Sequence, residues 1–106
     1  MDSRGKIALV TGGAVRVGRA LTLALAQSGA DVFINYRSSA AEADAVVQEA
    51  RAHGVRAWSI QADVSDPEAV TRLVQVIERT AGGVDVLVNS ASPFIRARLA
   101  ETTLAV

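Results

Sequence analysis

The chain has no cysteine, which excludes disulfides and thiolate metal sites and permits a cytoplasmic compartment. Aromatic residues are scarce: two phenylalanines, one tyrosine and one tryptophan. No apolar run approaches the roughly twenty residues that a membrane-spanning helix needs. The polar start Met1-Asp2-Ser3-Arg4-Gly5-Lys6 is not followed by an apolar core long enough for a signal peptide. Eleven basic and eleven acidic residues cancel, so nothing points to nucleic acid or an anionic membrane surface as a partner. No carboxylate pair, metal-ligand cluster or nucleophile–base spacing stands out. What remains is a chain of 106 residues, 50% hydrophobic and rich in alanine and valine. It is expected to form one small domain over residues 1–106, with tightly packed helices on a parallel sheet.

The organising stretch is residues 6–21, KIALVTGGAVRVGRAL. The apolar run Ile7-Ala8-Leu9-Val10 reads as a buried parallel strand. It enters a glycine turn and leaves as a helical pattern in which Val17, Ala20, Leu21 and Ala24 recur at one-face spacing. A strand turning straight into a helix aims the helix's first free N–H groups and its positive dipole end at one point, a natural seat for phosphate. Gly12 lets the backbone turn tightly, and Gly18 lets the helix lie close to the strand or a ligand. An ordinary strand-to-helix turn with glycines for steric reasons is the plainer alternative.

The rest of the chain alternates in the same way. The first helix is expected to stop at Ser28-Gly29, with Gly29 left-handed. A second strand covers residues 31–36. Ser39 and Glu42 make a capping-box pattern that opens a helix running through Val46 and Val47 to His53-Gly54. Residues 56–62 form a third strand, partly alternating and therefore nearer a sheet edge. Ser65 or Asp66 caps the next helix, with Pro67 in its first turn. Val70, Leu73, Val74 and Ile77 repeat at i, i+3, i+4, i+7, and Gly82-Gly83 ends that helix. Residues 84–89 read as a fourth strand, and 94–106 as the start of another helix. The fold class is α/β: a doubly wound parallel sheet, Rossmann-like, in three α/β/α layers with right-handed crossovers.

Ligands of such sheets bind outside the carboxyl ends of the strands. The second strand ends in Asn35-Tyr36-Arg37-Ser38-Ser39, where an NAD site commonly has an acid on the ribose hydroxyl. No acid stands between Phe33 and Ala41. An acid repels a 2′-phosphate, whereas Arg37, with Ser38 or Ser39 donating, binds one. An exposed turn is the alternative for these residues, and helix capping the simpler role for Ser39. NADP(H) is therefore expected in preference to NAD(H).

Thr11-Gly12-x-x-x-Arg16-x-Gly18 resembles the cofactor signature of the short-chain dehydrogenase/reductase family, usually Thr-Gly-x-x-x-Gly-x-Gly. Arg16 stands where the middle glycine is usual, a variant that resembles the pteridine reductase branch, whose arginine is associated with NADPH. The alternative for Arg16 is a solvated charge opposed by the local helix dipole. The resemblance implies that Gly12, Arg16, Val17 and Gly18 meet the cofactor, with Tyr36, Arg37 and Ser38 at the second strand end. Asp63 matches the family aspartate that contacts the adenine amino group, with Val64 beside it; helix capping or a local turn competes for Asp63. Asn89-Ser90-Ala91-Ser92 resembles the family's Asn-Asn-Ala-Gly, which gives Asn89 a structural role and places Ala91 beside the cofactor ribose. Ser92 again resembles the pteridine reductases. Phe94 either stacks on a flat substrate ring or packs in the core.

Family members also carry a Ser and a Tyr-x-x-x-Lys pair later in a chain about twice as long, the tyrosine acting as general acid and the lysine lowering its pKa. Here the single tyrosine, Tyr36, and single lysine, Lys6, stand on different strands and cannot be that pair. His53, at a helix end, reads as a favourable C-terminal charge. No catalytic residue is therefore assigned. The expected function is NADPH-dependent reduction of a small carbonyl or pterin-type substrate, with this chain supplying the cofactor-binding half. The alternative is a non-catalytic dinucleotide-binding or self-associating module complete at 106 residues; a methyltransferase fits the glycine turn but not Arg37 and Asn89. The last residues, Glu101-Thr102-Thr103-Leu104-Ala105-Val106, lie in a helical pattern without a stop signal, which predicts truncation. An open fourth-strand edge predicts a homo-oligomer or poor folding.

Overall fold

The structure, a computed structural model, describes residues 3–90. Its elements alternate as expected: β1 (Ile7–Thr11), α1 (Arg16–Gln27), β2 (Asp31–Tyr36), α2 (Ala40–Arg51), β3 (Ala57–Gln61), α3 (Pro67–Ala81) and β4 (Val86–Asn89). All strand pairs are parallel, in the order β3-β2-β1-β4. This is the doubly wound sheet. The expected helix over 94–106, with Ala91, Ser92 and Phe94, lies outside the described residues.

Side chains alternate across β1 and β2, and each face collects its own core. Ala8, Val10, Val32 and Ile34 pack with Leu25 and Ala26 of α1 and Val46, Val47 and Ala50 of α2. Ile7, Leu9 and Phe33 point the other way, onto Val70, Leu73, Val74 and Ile77 of α3. The sheet is thus sandwiched between α1 and α2 on one side and α3 on the other. Residues 7–10 of β1 and 32–34 of β2 are continuously apolar because both faces of these strands are covered. Among the described residues β3 is an outer strand, as its partial alternation predicts. Its Trp58 stacks on buried Phe33 at 4.3 Å between ring centroids, and Arg56 lies over Trp58 while binding Asp31 at 2.9 Å.

The helix ends follow their local chemistry. Asp66 caps α3 by accepting from the Glu68 N–H, with Pro67 in the first turn, and Gly82 ends the helix left-handed at φ 87°. Ser65 is not the cap. The Ser39–Glu42 capping box does not form: Ser39 precedes α2 with φ −93° and ψ 57° and makes no side-chain bond to the helix. Those angles lie away from the extended backbone that directs a cap hydroxyl back onto the helix N–H groups.

The apolar face of α1 also differs from expectation. The helix buries Gly18, Thr22, Leu25 and Ala26 and exposes Val17, Ala20, Leu21 and Ala24. The helix carries two candidate faces, and close packing selects the one with the smaller side chains. A Cβ added to Gly18 would lie 2.0 Å from the carbonyl oxygen of Gly12, so only the glycine face can lie against the turn. Thr22 tolerates burial because its hydroxyl donates to the Gly18 carbonyl at 2.8 Å.

Candidate functional site

The site is assembled at the carboxyl ends of β1, β2 and β4. Gly12 turns the chain with φ 64°, a conformation that glycine adopts without penalty. Arg16, the first residue of α1, also has positive φ, 53°. A left-handed backbone costs a non-glycine residue about 1–2 kcal/mol, so arginine is held here at an energetic disadvantage. Strain of this kind gathers at functional positions.

α1 begins without a side-chain cap: Val15 precedes it, and its first turn carries no acid. Its leading N–H groups therefore lack the carboxylate partner that Asp66 gives α3. Dipole and open donors together favour an external anion. An open cavity of about 550 Å³ lies in front of this turn, lined by Gly12, Val15, Arg16, Val17, Gly18, Ser39 and Ser90. Val17, 66% exposed, forms part of the wall. Ser39, for which capping is the simpler expectation, instead shares this cavity with Arg16. A second cavity, about 450 Å³, lies beside Ile7 and Gly82 with Glu78 and Asp85 in its wall. Its two carboxylates and lack of a cation make it unsuited to phosphate.

The turn is held from three sides. Asn35, only 2% exposed, accepts from the Gly12 N–H at 3.4 Å and donates to the Ala62 carbonyl at 3.2 Å. Its own carbonyl accepts from the Gly13 N–H at 3.1 Å. One buried amide thus ties the glycine turn to the end of β3. Asn89 accepts from the Thr11 hydroxyl at 2.9 Å, joining the ends of β4 and β1. The Ser90 hydroxyl donates to the Thr11 carbonyl, so serine makes a cross-strand bond where the family pattern has asparagine. Sequence reasoning assigns these bonds to neither Asn35 nor Ser90. A lone carboxamide at the end of an otherwise apolar strand is the available signal.

The other expected residues are distributed around this centre. Tyr36 is half-buried against the α1–α2 core, and Ser38 is exposed. Arg37, 77% exposed, faces Asp63 across 3.7 Å and does not line the 550 Å³ cavity. Asp63 adopts the local-turn role: one carboxylate oxygen accepts from the Ser65 hydroxyl at 2.6 Å and the Ser65 N–H at 3.0 Å. These bonds, the hydroxyl foremost, hold its carboxyl below the usual 3.8, with a smaller contribution from Arg37. The stabilisation of a lowered carboxylate is present at neutral pH and is lost as pH falls through that lowered value. Val64 packs in the α3-side core. Lys6 precedes β1 at the amino edge of the sheet, while Tyr36 closes β2 at the carboxyl edge, so the two cannot act as a pair.

Comparison with known proteins agrees with this geometry. The family profile for short chain dehydrogenase matches residues 6–105. The short-chain dehydrogenase/reductase homolog YusS of Bacillus subtilis is 46% identical over 92 residues, covering 87% of this chain and 84% of that protein. An L-rhamnose 1-dehydrogenase (NADP(+)) of Thermoplasma acidophilum is 41% identical over 86% of this chain but only 36% of its own length. The crystal structure of a short chain dehydrogenase from Burkholderia cenocepacia in complex with NADP superposes with a TM-score of 0.82 at 48% identity, covering 87% of this chain and 38% of that one. The chain therefore spans most of one relative and little more than a third of the others. The chain belongs to the short-chain dehydrogenase family of oxidoreductases.

Proposed function

We propose that this chain is the cofactor-binding half of an NADPH-dependent oxidoreductase that reduces a small carbonyl or pterin-type substrate in the cytoplasm. The observation that carries the reading is the meeting of Arg16 and Ser39 in one cavity with the uncapped N-terminus of α1. The free N–H groups of α1 suit the pyrophosphate, and the guanidinium and hydroxyl suit a 2′-phosphate. Arg37 lies one strand end away without a nearby acid from its own loop and adds a second cation. The Burkholderia dehydrogenase is in complex with NADP, and the rhamnose dehydrogenase is named for NADP(+), which supports the same choice. Bound NADPH supplies a hydride. The work of this chain is to hold and orient the dinucleotide: Asn35, Asn89 and Ser90 stiffen the turn, and the Asp63 oxygen that does not accept from Ser65, which faces Arg37 only loosely at 3.7 Å, is assigned to the adenine amino group. Ala91 is proposed beside the ribose.

The test uses Arg16→Gly and Arg37→Ala, with NADPH and NADH titrated separately. Glycine removes the Arg16 guanidinium and its unfavourable backbone together, so that variant is expected to fold at least as well. Each change should weaken NADPH by about ten- to a hundredfold, the value of a charged hydrogen bond, and leave NADH nearly unaltered. Equal losses for both cofactors contradict the assignment. A second reading, a self-associating dinucleotide-binding module, draws on the outer position of β4 among the described residues. An unpaired strand edge can pair with a second copy.

A further inference from the structure

Gln61 ends β3 and stands in register with Tyr36, the last residue of β2. The main-chain ladder between the two strands closes where the Ala62 N–H donates to the Tyr36 carbonyl at 3.0 Å. Beyond that bond, Arg37 and Ser38 enter an exposed turn. The contact then continues through a side chain: Gln61 Nε2 donates to the carbonyl oxygen of Arg37 at 3.0 Å. On the same side, Asp63 faces the Arg37 guanidinium at 3.7 Å. The end of β3 and the turn after it therefore meet Arg37 at two points, the peptide through Gln61 and the charge through Asp63. Both contacts are exposed; the amide bond at 3.0 Å is within hydrogen-bond distance, whereas the ion pair at 3.7 Å contributes little by itself.

We propose that Gln61 is a positioning residue for cofactor discrimination, fixing the Arg37 peptide so that the guanidinium is presented to a 2′-phosphate. This inference rests on the NADPH reading above. Binding an anion orders both the main chain and the side chain of an exposed arginine, and a main chain that is already fixed removes the first part of that cost. NADH carries a hydroxyl in place of the phosphate and draws nothing from Arg37. Gln61 therefore acts on the preference between the cofactors and not on dinucleotide binding in general. A role confined to strand stability would affect both cofactors alike.

The test measures dissociation constants of NADPH and NADH for the wild-type chain, Gln61→Met, Arg37→Ala and the double variant. Methionine keeps the length of the side chain and removes the donor. Gln61→Met is expected to weaken NADPH by about three- to tenfold, as for one neutral hydrogen bond, and to leave NADH unchanged. In the Arg37→Ala background it should have no further effect. Equal weakening of both cofactors, an unchanged NADPH constant, or an effect that persists without Arg37 overturns the proposal. If Arg37→Ala lowers the NADPH preference and Gln61→Met does not, Gln61 alone is misassigned. If Arg37→Ala leaves the preference intact, or neither cofactor binds, the reading beneath it fails as well.

Discussion

Gly18→Ala is expected to destabilise the chain by about 3 kcal/mol, at the upper end of overpacking costs, and to abolish NADPH binding. Helix propensity alone predicts the opposite sign, because alanine in a helix is favoured over glycine by about 1 kcal/mol. Sterics win here. The added Cβ would lie 2.0 Å from the Gly12 carbonyl oxygen, 2.8 Å from its carbon and 3.0 Å from the Gly13 Cα. All three are backbone atoms, so no rotamer change relieves the clash, and α1 must move away from the turn. That movement also displaces the leading N–H groups of α1 from the glycine turn. Urea unfolding gives the stability and fluorescence titration gives the binding. An unchanged midpoint with NADPH binding retained contradicts the account of why this helix buries its small face.

Asn35→Asp is expected to be comparably damaging at neutral pH and partly repaired by acid. The amide donates to Ala62 and accepts from Gly12 in a nearly water-free position. A carboxylate there can still accept from Gly12, but it turns a negative oxygen toward the Ala62 carbonyl. Burying an unpaired charge costs at least about 3 kcal/mol, which exceeds the modest value of the original bonds. Burial and the facing carbonyl both raise the pKa of the introduced acid. Stability should therefore recover as pH falls through that raised value, because the protonated form regains a donor. Asn35→Leu lacks a titrating group and should be destabilised by about 2 kcal/mol, the cost of stranded polar groups, at every pH. A pH-independent Asn35→Asp variant contradicts the proposed clamp.

The sheet is legible in the sequence because β1, β2 and β4 centre on short apolar runs. β2 falls on residues 31–36 as expected, and β3 is one residue shorter at each end than residues 56–62. β4 starts at Val86 rather than Val84; Asp85 still donates its main-chain N–H to the Ile7 carbonyl at 2.8 Å, but the Ile7 N–H goes to the Asp85 carboxylate at 2.8 Å and not to a main-chain carbonyl. The burial of α1 is not legible. Periodicity shows that a helix has an apolar stripe, but the closeness of the Gly12–Gly18 approach decides which stripe meets the sheet. Ser39 misleads for a related reason: a capping pattern describes spacing, while the bond needs backbone angles that only the preceding turn sets. At the site, Gly12, Arg16 and Gly18 are readable because their spacing is itself the feature. Asn35, Gln61 and Ser90 are not, because their partners are 23, 24 and 79 positions away. Only the strand order brings them together.

The central claim is that the carboxyl end of this sheet is built for a 2′-phosphate. It is tested most directly by titrating the wild-type chain with adenosine 2′,5′-bisphosphate and with adenosine 5′-monophosphate. The two ligands differ only in the group that Arg16, Ser39 and Arg37 are assigned to hold. The bisphosphate is expected to bind at least about tenfold more tightly, the value of one charged hydrogen bond, with an advantage that shrinks as salt is raised. Equal affinities, or tighter binding of the monophosphate, would contradict the assignment of this site to NADPH.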